Sequence, residues 1–84
     1  MAIRNDEELK LLISNALSIS SEEIDENSNS DNLPEWDSLG HLSILSALDE
    51  KTNGKSSDID GISELDSFKK LKEKLLSEGL MSEG

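Results

Sequence analysis

Ser38 stands where an acidic loop gives way to a Leu- and Ile-rich stretch, in the run Leu33-Pro34-Glu35-Trp36-Asp37-Ser38-Leu39-Gly40-His41-Leu42. A hydroxyl at the start of a helix is open to solvent and lies near the positive end of the helix dipole, so it suits a phosphate ester. Alone it is a poor nucleophile, and no neighbouring group activates it. His41, three residues on, is the only histidine. Hydrolysis by a Ser38–His41 pair would need an oxyanion hole and an orienting partner around a pocket, which nothing in the chain supplies. His41 is expected as a half-exposed helix residue. Ser38 is expected to be modified by another enzyme, and the chain is read as non-catalytic.

Other candidate chemistry is weaker. Asp25, Asn27, Asn29 and Asp31 alternate like the start of a calcium loop, but an EF-hand needs Gly at its sixth position and Glu at its twelfth. Here those positions hold Ser30 and Trp36, and Pro34 interrupts the exit helix. One His, no Cys and scattered carboxylates make a poor metal site, and disulfides are excluded. No metal site is expected.

The elements that must position Ser38 follow from periodicity. Leu9, Leu12, Ile13, Ala16 and Leu17 share one helical face, with Asn5 as cap and Glu8 in capping-box position, which predicts a first helix from Asp6 to Leu17. The 19–37 stretch is rich in Ser, Asn, Asp and Glu and reads as a long loop tied down by Ile24 and Leu33. Trp36 is expected to fold back onto the bundle. A second helix is predicted from Ser38 to Lys51, ended by Thr52-Asn53-Gly54. Leu42, Ile44, Leu45 and Leu48 are expected inward; Leu39, Ser43, Ser46 and Glu50 are expected outward. Ser57-Asp58 predicts a short third helix through Ile59 and Ile62, weakened by Gly61. Asp66 is expected to cap a last helix with Phe68, Leu71, Leu75 and Leu76 inward, ended by Gly79, and residues 79–84 are expected to fray. The fold class is all-α: a four-helix bundle of three longer helices and one short one, in one domain spanning 1–84, with a long loop between the first two helices.

Size and charge narrow the function classes. Eighty-four residues with only Trp36 and Phe68 as aromatics bury a modest core, too small for a deep substrate pocket. The net charge is −11, and residues 1–50 hold 12 acidic but only 2 basic side chains. Seven carboxylates and no Lys or Arg lie in the 19–37 stretch. Such a surface repels nucleic acid and anionic lipid and attracts basic protein faces. The first residues lack the apolar run of a signal peptide, and no segment reaches membrane-spanning length. A monomer in the cytoplasm, without nucleic-acid binding or membrane insertion, is expected.

With these residues in place, the chain resembles an acyl carrier protein of the phosphopantetheine-binding family. The resemblance rests on Asp37-Ser38-Leu39 opening a helix and on Leu33-Pro34-x-Trp36 before it. After it come Leu42-x-Ile44-Leu45-x-Ala47-Leu48-Asp49-Glu50 and Glu64-Leu65-x-Ser67-Phe68-x-x-Leu71. It implies that a phosphopantetheinyl transferase esterifies Ser38 with 4′-phosphopantetheine from coenzyme A. It further implies that a loading ligase or acyltransferase charges the arm's thiol, and that downstream acyl-processing enzymes collect the cargo. Asp37 and Leu39 match positions that partners contact, and Ser43, Ser46 and Glu50 continue that recognition face. Asp37 is also placed to be a plain N-cap, and both roles are compatible. Many fatty-acid carriers carry several acidic residues and a Met on the outer face of this helix. Here that face reads Gly40, Ser43 and Ser46, with carboxylates only at Asp49 and Glu50. That departure points to a carrier for a specialised lipid, polyketide or related pathway over housekeeping fatty-acid biosynthesis. The alternative from another class is an unmodified acidic helical adaptor for a basic protein partner.

Overall fold

Asn5 sits in extended backbone and accepts the Glu8 N–H on its side-chain oxygen at 2.9 Å, which starts helix α1 (Asp6–Leu17). The expected capping box closes one residue further out. The Glu8 carboxylate accepts the Arg4 backbone N–H at 3.0 Å and the Arg4 Nε–H at 2.8 Å, passing over Asn5. Those two contacts with Arg4, the backbone N–H first, hold the Glu8 carboxyl below its usual range. Leu9, Ile13 and Leu17 are buried along one stripe, and Ser18 ends the helix in the left-handed region at φ 59°.

These features belong to a computed structural model that describes residues 3–82. After α1 the loop makes a single 3₁₀ turn (Ser21–Glu23) capped by Ser20. Helix α2 (Ser38–Lys51) follows, then two further 3₁₀ turns (Lys55–Asp58 and Ile62–Glu64), and helix α3 (Phe68–Ser77). Among the described residues this is a compact all-helical domain with three α-helices and no strand. The expected short third helix is absent as an α-helix. Gly61 takes φ 77°, left-handed backbone that an α-helix does not carry, and Ile59 is extended. The segment therefore breaks into two 3₁₀ turns around a buried Ile59, and the bundle has three helices where four were expected.

The polar loop is held by its own side chains. Asp25 Oδ1 accepts the Asn27 N–H at 2.8 Å, and Asn29 Oδ1 accepts the N–H groups of Asp31 and Asn32 at 2.7 and 3.0 Å. These are the Asx turns that Asp and Asn favour, and they occupy oxygens that a cation would need. Among the described residues no group of three or more His, Cys, Asp or Glu could hold a metal. Ile24 is buried and Leu33 packs on the core, as the loop anchors.

The loop also crosses to the start of α3. Phe68 N–H donates to the Ser28 carbonyl at 2.9 Å, and Ser30 N–H to the Asp66 carbonyl at 3.0 Å. That pairing moves the cap of α3 by one residue from the expected Asp66. Ser67 accepts the Lys70 N–H at 3.1 Å, while Asp66 pairs with the Lys70 ammonium at 3.2 Å.

The chain ends also depart from expectation. Gly79 at φ 73° lets Leu80 N–H reach back to the Leu75 carbonyl at 2.9 Å, closing α3 with a Schellman turn. The chain then runs beside its own start: Ile3 N–H meets the Leu80 carbonyl at 3.1 Å and Ser82 N–H the Ile3 carbonyl at 2.9 Å. Ile3 and Met81 are both buried. Residues 79–82 are thus packed rather than frayed, because two lone apolar side chains, one from each end, complete the core between them. Glu83 and Gly84, the rest of the expected tail, lie outside the described residues.

Candidate functional site

Pro34 follows a turn in which Leu33 N–H bonds the Asn29 carbonyl at 3.1 Å, and Trp36 N–H returns to the Leu33 carbonyl at 3.0 Å. The turn drives the Trp36 ring into the core, where it is 1% exposed. Asp37 then caps α2: its carboxylate accepts the Gly40 N–H at 2.8 Å, and its carbonyl accepts the His41 N–H at 2.8 Å. Ser38 is the first helical residue, and its side chain is exposed. Its own N–H and that of Leu39 belong to the first turn, where no carbonyl within the helix can meet them. Leu39 is 76% exposed. A hydroxyl, two free N–H groups and a solvent-facing leucine therefore share one end of the helix.

Gly40 makes this arrangement possible. A Cβ at that position would overlap the Glu35 carbonyl oxygen and come within 2.7 Å of Leu17 Cδ2. The first turn of α2 thus rests directly on the backbone before it and on the end of α1. Gly40, expected on the outer face of the helix, faces inward.

His41 is half-buried and turned away from Ser38. Trp36 Nε1–H donates to His41 Nδ1 at 3.0 Å, and His41 Nε2 lies 2.7 Å from the Ser63 carbonyl oxygen. The two ring planes are inclined by only 22° with centroids 6.3 Å apart, the near-coplanar, edge-to-edge arrangement that an in-plane N–H···N bond requires. Both ring nitrogens are engaged, so the imidazole is not a base poised on the Ser38 hydroxyl.

Leu42 corrects the expected burial of α2, since it is 61% exposed while Ile44 and Leu48 are fully buried. The inward face is narrower than the four-residue arc and is completed by Gly40 and His41. Apolar residues occur nearly all round α2, so periodicity alone did not single out the side that packs. The better signal was the small Gly40 one turn before Ile44. Leu39, Ser43, Ser46 and Glu50 are all exposed along one outward stripe, with Asp37 at its head. The seven carboxylates of the 19–37 stretch are exposed too.

Two open clefts flank α2. One of about 670 Å³ lies against α1, with Leu11, Leu12, Ala16 and Ala47 in its wall. The other, about 420 Å³, is lined by Leu45, Ser46, Asp49, Ser56, Ser57 and Ile62. Ser38 lines neither. No helix among the described residues is long and apolar enough to cross a membrane.

Comparison with protein-family models, with the curated proteins and with the solved structures found no match to this chain.

Proposed function

We propose that the protein is an acyl carrier whose Ser38 hydroxyl accepts 4′-phosphopantetheine from coenzyme A under the action of a phosphopantetheinyl transferase. The observation that carries this reading is the exposed Ser38 hydroxyl on the first turn of α2, beside exposed Leu39 and with His41 turned elsewhere. In the transfer, the serine oxygen bonds to the phosphorus next to the pantetheine, the adenosine bisphosphate half leaves, and the hydroxyl proton passes to the transferase. The residues fit a phosphodiester. The Ser38 and Leu39 N–H groups and the helix dipole would favour it. The Asp37 carboxylate is a like charge that does not favour the ester, but it caps the Gly40 N–H and leaves those two N–H groups unoccupied. When attached, the arm supplies a thiol that carries an acyl or aminoacyl group as a thioester.

The chain itself contributes the tether and the docking surface. Asp37, Leu39, Ser43, Ser46 and Glu50 form the face offered to the transferase, to a loading ligase or acyltransferase, and to downstream enzymes. Tethering raises the local concentration of cargo and makes delivery depend on docking. Ser43 and Ser46 stand where many fatty-acid carriers present carboxylates, which supports a specialised pathway. Elongation enzymes of housekeeping fatty-acid synthesis should therefore use this carrier less well than their own.

A second reading, an unmodified acidic adaptor for a basic partner, draws on the exposed carboxylates of the 19–37 stretch. One experiment separates the two: incubation with coenzyme A and a promiscuous phosphopantetheinyl transferase, followed by intact mass. The carrier reading expects the wild type to gain one phosphopantetheine and Ser38→Ala to gain nothing. An unmodified wild type would favour the adaptor.

A further inference from the structure

Trp36, His41 and Ser63 join three segments: the run that leads into Ser38, helix α2, and the Ile62–Glu64 turn. Chemistry fixes the form of the imidazole between them. An indole N–H can only donate and a backbone carbonyl can only accept. His41 therefore links them only as the neutral ring, with its lone pair on Nδ1 toward Trp36 at 3.0 Å and its proton on Nε2 toward Ser63 at 2.7 Å. An imidazolium has two N–H groups and no lone pair. Its Nε2–H keeps the Ser63 carbonyl, but its Nδ1–H points head-on at the indole N–H.

We propose that His41 is a charge-sensitive latch on the segment before Ser38: neutral, it pins Trp36 in the core; protonated, it lets Trp36 go while still holding the 62–64 turn. Acidification supplies the proton, and histidine is the side chain chemically suited to such a switch. A buried indole N–H without an acceptor is unfavourable, and the ring moves toward solvent to find water. The movement reaches the site by two short routes. Trp36 adjoins the cap residue Asp37, and its other neighbour, Glu35, lies with its carbonyl against Gly40.

The charged side chains next in sequence to the ring's two partners are carboxylates, and the cations of α1 and α2, Lys10 and Lys51, lie two or more helical turns from the contact. Glu35 and Asp37 flank Trp36, Asp60 and Glu64 flank the 62–64 turn, and the end of α1 that meets α2 contributes apolar Leu17. None of them bonds a ring nitrogen, since both are taken by Trp36 and Ser63. What opposes the added proton directly is the indole N–H. The latch is a property of the unmodified chain and stands whether or not Ser38 carries a prosthetic group.

Trp36 is the only tryptophan, so its fluorescence reports on the latch alone. The unmodified protein is titrated between about pH 8 and pH 5, recording emission maximum, acrylamide quenching and far-UV circular dichroism at each step. The expected result is a single step in which emission shifts to longer wavelength and quenching rises while the helical signal holds. His41→Gln, whose amide accepts and donates at fixed charge, should abolish the step. Emission that stays flat across the range overturns the proposal, as does a step that survives in His41→Gln or coincides with loss of helix. If that variant does not fold, nuclear magnetic resonance of the wild type decides. The Trp36 indole N–H resonance must shift with the midpoint of the His41 ring protons, and different midpoints overturn the latch.

Discussion

Helices α2 and α3 start with the same device. A short polar residue in extended backbone, Asp37 or Ser67, takes the N–H three residues on, at 2.8 Å and 3.1 Å. At the next position they part. Phe68 at the head of α3 is fully buried, and its N–H is tied to the Ser28 carbonyl at 2.9 Å. Ser38 at the head of α2 is exposed, with an exposed leucine after it. One helix start is closed by the loop that crosses it, and the other is left open by the same loop. Stability does not require an open end, and it is on this open end of α2 that the carrier proposal places the docking of partners.

The comparison is broken most directly by truncating each first residue. Phe68→Ala should cost about 3–5 kcal/mol, because it empties a fully buried aromatic site. A loss of that size approaches the total stability of a domain this small, on the order of 0.05–0.15 kcal/mol per residue. Ser38→Ala should change stability by no more than about 0.5 kcal/mol while abolishing modification. Urea unfolding of both variants checks the pair. Equal losses at the two positions would mean that Ser38 is structural after all.

Gly40→Ala should come next, at about 1–3 kcal/mol, because the added methyl meets the Glu35 backbone and Leu17. It should also shift the emission of Trp36, whose backbone neighbour is displaced. An unchanged unfolding midpoint would show that the two segments are not in close contact.

The caps sharpen the comparison in the other direction, because here the two helices are alike. Asp37→Ala and Ser67→Ala should each cost about 1 kcal/mol. Asp37→Ser should restore the cap and yet weaken docking to basic partners, read as a shallower salt dependence of binding. A Ser variant that docks as well as the wild type would leave Asp37 with the capping role alone.

The smallest effect is on the acid side. The Asp66 carboxyl is held below the ordinary aspartate range, first by its hydrogen bond to the Lys70 ammonium. A lowered carboxyl contributes stability that is complete above the unfolded value near ~3.9 and is lost as pH falls through the folded one. Asp66→Asn should therefore flatten the fall in melting temperature below about pH 4. The exposed position keeps the effect small. An unchanged acid slope would show that the pair with Lys70 does not persist in solution.

Much of this organisation was legible in the residues. Helices α1 and α2 occupy Asp6–Leu17 and Ser38–Lys51 as expected, since their caps and stop signals are local and agree with the apolar pattern. The exposed Ser38 and Leu39 and the buried Trp36 follow from the same local chemistry. What escaped was set by distant partners. Ser67 replaces Asp66 as cap because the loop pairs with Asp66 from 36 positions earlier in the chain. Met81 is buried because Ile3 lies beside it, and no periodic signal marks two single residues at opposite ends. Gly40 and His41 face inward because of Glu35, Leu17, Trp36 and Ser63, and an apolar count over α2 alone cannot register such neighbours.

The central claim is that Ser38 is the residue that takes the prosthetic group. Fragment mass spectrometry of the transferase-treated protein tests it most directly by locating the added mass. The account predicts one phosphopantetheine on Ser38, with Ser43 and Ser46 bare. An added group on another serine, or none at all, would contradict it.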